Sequence, residues 1–169
     1  TLARAGQVFV SSYDDSDELR IHIKNGRYAN TGSHTGATNL TISNGQLLFG
    51  LGTSDFTLSE NSRLTIRSDR PTVGFDGVGT ASLNIEANAV FNFHFNAEGV
   101  SPVKTFRSGH YGTTEPTIST SMNITPDSTQ LNLDLNEFSP QGIQTFELFS
   151  VDTLTGRFAS HQVEGLSGG

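Results

Sequence analysis

Apolar and polar residues alternate along most of this chain, the period-two pattern of strands that bury one face. Clear runs are Gln46-Leu47-Leu48-Phe49, Asp55-Phe56-Thr57-Leu58, Val90-Phe91-Asn92-Phe93-His94-Phe95, Gln130-Leu131-Asn132-Leu133-Asp134-Leu135 and Thr145-Phe146-Glu147-Leu148-Phe149. Gly, Asn, Asp and Ser separate them, including the turn pairs Asn25-Gly26, Asn44-Gly45 and Asp76-Gly77. No stretch carries the three-and-four apolar spacing of a helix. The pattern predicts an all-β protein.

Within the alternation one motif recurs: an apolar residue, any residue, isoleucine, then a turn residue. Its copies are Ile21-His22-Ile23, Leu40-Thr41-Ile42, Leu64-Thr65-Ile66, Leu83-Asn84-Ile85 and Met122-Asn123-Ile124. Their first residues are 19, 24, 19 and 39 positions apart, the last gap close to two of the shorter steps. Short strands repeating about every 20 residues mark a solenoid whose coils stack strand on strand. The expectation is a single right-handed parallel β-helix domain over residues 1–169, with coils over about 7–100, an irregular excursion over about 101–119 and closing strands over about 120–166. Asn and Gly at the bends supply the left-handed backbone that tight corners need. The alternative is an antiparallel β-sandwich or jelly roll, because Asn-Gly between alternating strands is also the usual hairpin signal.

The repeat carries residue-level expectations. Leu64 should stack on Leu83 and Ile66 on Ile85 inside, with Thr65 on Asn84 and Arg67 beside Glu86 outside, a favourable opposite-charge pair. Phe91, Phe93 and Phe95 should close the core under the next coil. A hairpin of the Leu131 and Phe146 strands should cap the end, since uncovered strand edges invite aggregation.

Composition narrows the function classes. Twelve Phe residues need burial, which excludes a disordered chain. Only 16% of residues are charged and the net charge is −7. Nucleic-acid binders need clustered Lys and Arg to neutralise phosphates, and an anionic membrane surface needs the same, so both are disfavoured. Cysteine is absent, which removes disulfide scaffolds and thiolate metal sites. No apolar run approaches the ~20 residues that span a membrane. The start at Thr1 and the end at Leu166-Ser167-Gly168-Gly169 read as a processed protein or an excised piece. An acidic chain rich in Ser, Thr, Asn and Gly leans towards bacterial surface proteins.

Candidate chemistry is sparse. The cluster Asp14-Asp15-Ser16-Asp17-Glu18 offers hard oxygen ligands of the kind Ca²⁺ prefers, but lacks the glycine and distal Glu of a calcium loop, so a solvated loop is the simpler reading. His22, His34, His94, His110 and His161 show no zinc-hydrolase spacing, and His22 and His94 fall on polar strand faces. Arg107-Ser108-Gly109-His110 reads as a turn, and no Gly-x-Ser-x-Gly elbow supports a catalytic triad. Arg63, Arg67, Asp69 and Arg70 form one basic patch where lyase chemistry on a polysaccharide is conceivable. Tyr13, Tyr28 and Tyr111 alone offer amphipathic stacking faces, since Trp is absent. Thr38, Thr41, Thr57, Thr65, Thr117 and Thr120 suit outward strand positions and do not recur at the fixed place an ice-binding plane requires.

The segment from Gln130 to Phe149, an alternating strand followed by the turn Ser139-Pro140-Gln141-Gly142 and a second strand, leads on to Leu154-Thr155-Gly156-Arg157-Phe158. Over residues 130–166 it resembles the closing segment of bacterial exported β-helical surface proteins, autotransporter passenger-like and anchor-terminated repeat proteins among them. Ile143 departs from the polar residue usual there. The resemblance implies an exported, surface-associated solenoid and transfers no catalytic residues.

The expected function is a non-catalytic surface module of a larger protein: a stalk, coat or adhesion platform, extracellular or at the cell surface, with no catalytic residue, metal or cofactor. Its partner would be a glycan or another surface protein. The rival is a carbohydrate-binding or polysaccharide-degrading β-helix. A wall where Arg and carboxylates converge beside exposed aromatic rings would distinguish it.

Overall fold

The computed structural model describes residues 7–10, 13–14, 19–30, 34–35, 38–51, 54–67, 71–76, 79–106, 118–139 and 142–165. Its strands are β1 (Gln7–Val10), β2 (Tyr13–Asp14), β3 (Leu19–Asn30), β4 (His34–Thr35), β5 (Thr38–Leu51), β6 (Ser54–Leu58), β7 (Arg63–Ile66) and β8 (Thr72–Asp76). They continue as β9 (Gly79–Ile85), β10 (Val90–His94), β11 (Val103–Phe106), β12 (Ile118–Ile124), β13 (Gln130–Asp134), β14 (Phe149–Ser150), β15 (Thr153–Gly156) and β16 (Ser160–Glu164). No helix occurs among the described residues, so none is long and apolar enough to cross a membrane.

Every pairing between these strands is parallel. Among the described residues the one antiparallel contact is an isolated bridge between Asn96 and Gly99. The Asn-Gly pairs therefore do not form hairpins. Asn25-Gly26 and Asn44-Gly45 lie inside β3 and β5, where the register shifts and Gly26 stands opposite Gly45. Through Asn39–Ile42, β5 pairs with β7; through Gln46–Leu48 it pairs with β8. The ten-stranded sheet thus turns a corner along β3 and β5. Backbone freedom at Asn-Gly serves a corner here because each strand's partner lies one coil away.

Three walls result. The first holds the opening halves of β3 and β5, then β7, β10, β13 and β16; the second holds β1, the closing halves of β3 and β5, then β8, β11 and β14. The third stacks β6, β9, β12 and β15, and β2 and β4 occupy the same place in chain order. These are parallel strands in stacked sheets, the architecture of a β solenoid.

Register corrects the expected stacking. Ile21, Leu40 and Leu64 do stack, on the first wall. Leu64 then meets Phe91, whereas Leu83 sits on the third wall between Phe56 and Met122. The motif fits the end of a strand on either wall, so its spacing cannot tell one wall from the next. Thr65 accordingly lies beside Asn92, and Asn84 beside Asn123. Arg67 and Glu86 end strands of different walls, and the Glu86 carboxylate accepts the Glu60 N–H at 3.1 Å instead. Along the first wall the register step is 19 residues from Ile21 to Leu40, 24 to Leu64, 27 to Phe91, 40 to Leu131 and 30 to His161.

The expected capping hairpin is also absent. β13 pairs in parallel with β10 and β16, and residues 144–148 form no strand. The chain makes another coil instead, because the segments that follow β13 belong to other walls. Of the expected excursion, Val103–Phe106 is a regular second-wall strand and Ile118 opens β12; residues 107–117 lie outside the described residues.

The core runs between the walls as columns of inward side chains. Leu40, Leu64 and Phe91 form one column and Ile42, Ile66 and Phe93 its neighbour, all fully buried. Phe56, Leu83 and Met122 face them from the third wall, and Leu47, Val73 and Val103 from the second. Each such burial contributes about 1.5–3 kcal/mol. Phe149 meets the Phe91 and Phe93 rings edge-on, both at 5.5 Å, and Phe95, Phe138 and Phe146 form a second cluster. Phe91, Phe93 and Phe95 thus occupy the core, as the alternation predicts.

Corners between the third and first walls reuse one device. Asn61 (φ 61°), Asn88 (φ 58°) and Asp127 (φ 76°) each take the left-handed conformation that short polar side chains tolerate best. They stack: Asn61 N–H donates to the Ala87 carbonyl at 3.2 Å, and Asn88 N–H to Ser128 Oγ at 3.2 Å.

Candidate functional site

Alternation sends every second side chain outward, and stacking lines these residues up coil over coil. On the first wall the central outward column is Thr41, Thr65, Asn92, Asn132 and Gln162. Its amides form a ladder. Asn92 Nδ2 donates to Thr65 Oγ1 at 3.0 Å, and Asn132 Nδ2 to Asn92 Oδ1 at 2.9 Å. Asn132 Oδ1 is buried and has no partner among the described residues; Gln162 is its register neighbour.

The third wall has a matching ladder. Asn123 Nδ2 donates to Asn84 Oδ1 at 2.8 Å and Thr155 Oγ1 to Asn123 Oδ1 at 2.6 Å. Asn84 Nδ2 also reaches Ser82 Oγ at 3.1 Å, and that hydroxyl donates to Asp55 Oδ1 at 2.6 Å. Near the second wall, Asp152 Oδ2 accepts the Thr120 N–H at 2.9 Å and its hydroxyl at 3.2 Å. With that proton committed, Thr105 Oγ1 is the donor in its 2.6 Å contact with Thr120 Oγ1.

Beside the first-wall ladder runs a charged column. Register places His94 next to Asp134 and Asp134 next to Glu164, and Arg67 directly follows Ile66, the partner of Phe93. His94 Nδ1 lies 2.8 Å from Asp134 Oδ2, and both side chains are about three-tenths exposed. A carboxylate acceptor requires the Nδ1–H tautomer. The Asp134 carboxyl is held below its ordinary value, chiefly by the Asn136 backbone N–H donating to Oδ1 at 3.0 Å. The Asn136 amide at 2.7 Å and the charges of His94 and Arg67 add to this, against partial burial. The column concentrates charge, while Phe56, Phe75, Phe91, Phe93, Phe95 and Phe138 are buried and Phe146, Phe149 and Phe158 half-buried.

Of the other candidates, Arg63 and Arg67 stand at opposite ends of the β7 run, and Asp69 and Arg70 lie outside the described residues. Asp14 is in β2, while Asp15, Ser16, Asp17 and Glu18 lie outside the described residues. Among the described residues no three His, Asp or Glu side chains are placed to hold a metal ion. His22 and His34 are in β3 and β4, Tyr13 in β2 and Tyr28 in β3; Arg107, Ser108, Gly109, His110, Tyr111 and Thr117 are outside the described residues. Thr38 opens β5, Thr41, Thr57 and Thr65 are half-buried, and Thr120 is buried rather than outward.

His161 occupies the inward column with Leu131, on the exposed last strand. His94 is a paired residue, not a free surface one. The sequence reading passed over the ladders, whose signal was available: Asn84, Asn92, Asn123 and Asn132 each sit between two apolar residues of a strand. No family model, curated protein or solved structure matches the chain.

Proposed function

We propose that the chain is a non-catalytic, exported surface module that serves as a stalk, coat or adhesion platform within a larger bacterial protein. The observation that carries this reading is the use of outward side chains. Thr65, Asn92 and Asn132 on one wall, and Asn84, Asn123 and Thr155 on another, bond coil to coil. Such ladders stiffen a solenoid along its axis and leave a flat polar exterior suited to contact with glycans or other surface proteins. The resemblance over residues 130–166 supports an extracellular or cell-surface location. The solenoid is proposed to be right-handed, as parallel strand crossovers nearly always are, with a basic coil of about 20 residues lengthened by insertions at corners.

The rival reading draws on the Arg67, His94, Asp134 and Glu164 column, which has the charges a polysaccharide site would use. One experiment separates the two: screening the purified chain against a glycan array and against polyuronates, with assays for new reducing ends and unsaturated products. Glycan or cell-surface binding without turnover supports the module. Turnover abolished by His94→Ala or Arg67→Ala overturns it.

A further inference from the structure

The outer face of the first wall runs from positive to negative along the solenoid. Arg67 follows Ile66 as His94 follows Phe93, and Ile66 and Phe93 are register partners. His94, Asp134 and Glu164 are then partners in turn, so one column reads cation, imidazole, carboxylate, carboxylate. Arg67 and Glu164 are exposed, and His94 and Asp134 about three-tenths exposed. Within the chain the column closes one ion pair, His94 with Asp134, and leaves Arg67 and Glu164 with none among the described residues. These two stand about 14 Å apart at the usual strand spacing, with His94 and Asp134 between them. On the third wall, by contrast, β6, β9, β12 and β15 carry one outward charge, Asp55, among hydroxyls and amides such as Ser82, Asn84, Ser121 and Asn123.

A column in that order is complementary to its own reverse. Consider two copies face to face about a two-fold axis in the plane of contact, parallel to the strands and midway between β10 and β13. β7 then lies opposite β16 and β10 opposite β13. Arg67 of each copy faces Glu164 of the other, and His94 faces Asp134. In the neighbouring columns Asn92 faces Asn132 and Arg63 faces Ser160, so no like charges oppose each other. Turning the second copy about an axis along the solenoid instead sets Arg67 against Arg63 of the same strand, two cations face to face. The charge pattern therefore favours one orientation and penalises the other. Stacked sheets lie about 10 Å apart, a gap that Arg and Glu side chains reaching from both sides can span.

We propose that two copies of this chain associate side by side through the outer face of the first wall, as a closed dimer with two-fold symmetry. The overlapping strands β7, β10, β13 and β16 present roughly 19 by 17 Å of wall, from strand spacing and rise. That is below the area of a permanent dimer, so the contact is weak and reversible and forms where copies are concentrated. Its orientation is set by the two Arg67–Glu164 pairs. The proposal rests on register and charge alone, independently of the surface-module reading.

The test is sedimentation velocity of the 169-residue chain at concentrations up to about 1 mM, where contacts of this size form. The expected result is a monomer–dimer equilibrium with no larger species. Arg67→Glu and Glu164→Arg should each weaken the dimer more than about tenfold, because each sets two like-charge pairs across it. Combining both substitutions in one chain should restore the dimer. Mixing the two single variants should restore it too, as each then prefers the other to itself. The chain has no cysteine, so Arg63→Cys and Ser160→Cys supply a second readout. A short bis-maleimide should link a mixture of these two into dimers, and neither one alone. Thr80→Lys, exposed on β9 of the third wall, should leave association unchanged. Circular dichroism confirms that each variant is folded. A monomer at every concentration overturns the proposal. So does growth beyond a dimer, a dimer indifferent to both charge reversals, or cross-linking of Arg63→Cys to itself.

Discussion

His94 Nδ1 and Asp134 Oδ2 lie 2.8 Å apart because their strands, β10 and β13, stack in register one coil over the other. Nothing local links the two residues; the pair exists only when the coils are aligned. It therefore reports on stacking. The carboxyl of Asp134 is lowered in the fold, mainly by the Asn136 N–H, so its contribution to stability is present above the ordinary carboxylate range and is lost as pH falls through the folded value. Asp134→Asn should reduce stability at neutral pH by about 0.5–1 kcal/mol, a partly exposed pair being worth no more. The difference from the unmodified chain should begin to shrink below about pH 4 and vanish once the folded carboxyl is itself protonated. Urea titrations at several pH values measure this; a difference constant across the acid range would refute it.

The amide ladders predict selective losses. Asn92 donates to Thr65 and accepts from Asn132, so Asn92→Ala breaks two hydrogen bonds and should cost about 1–2 kcal/mol. Asn123→Ala breaks the equivalent two on the third wall, with a similar cost. The ladders share no member, so the double variant should be additive within about 0.5 kcal/mol. Chemical denaturation of the four proteins supplies the cycle.

Core columns should weaken towards the last coil. Phe91→Ala removes a fully buried ring that packs on Phe93 and Phe149 and should cost about 3–5 kcal/mol. Leu154→Ala, on an exposed strand, should stay within about 0.5 kcal/mol. Comparable losses at the two sites in thermal denaturation of dilute chain would show that the last coil is covered in solution.

Gly74 tests close approach of stacked strands. Its φ is +147°, and a Cβ there would meet the Lys104 carbonyl oxygen at 1.8 Å, a backbone atom that cannot step aside alone. Gly74→Ala should therefore cost more than about 2 kcal/mol, combining backbone strain with a displaced β11. Asn88→Gly, at a corner of positive φ, should be close to neutral. Both are read from denaturation midpoints.

Much of this architecture was legible in the residues. Alternation identified strands such as Val90–His94 and the side chains they bury, and the motif at Ile21, Leu40 and Leu64 marked a genuine stack. It misled at Leu83, and it could not anticipate that Asn92 would bond Asn132 or that His94 would face Asp134. The physical reason is the range of each signal. A period of two reports which face of a strand is buried, a property of the strand alone, so the composition of the core follows directly. A strand's neighbour in a solenoid is set by how many walls and corner residues intervene, and those steps vary from 19 to 40 residues along one wall. Only stacking of the coils decides which polar residues share a column, and with them the ladders and the charged column.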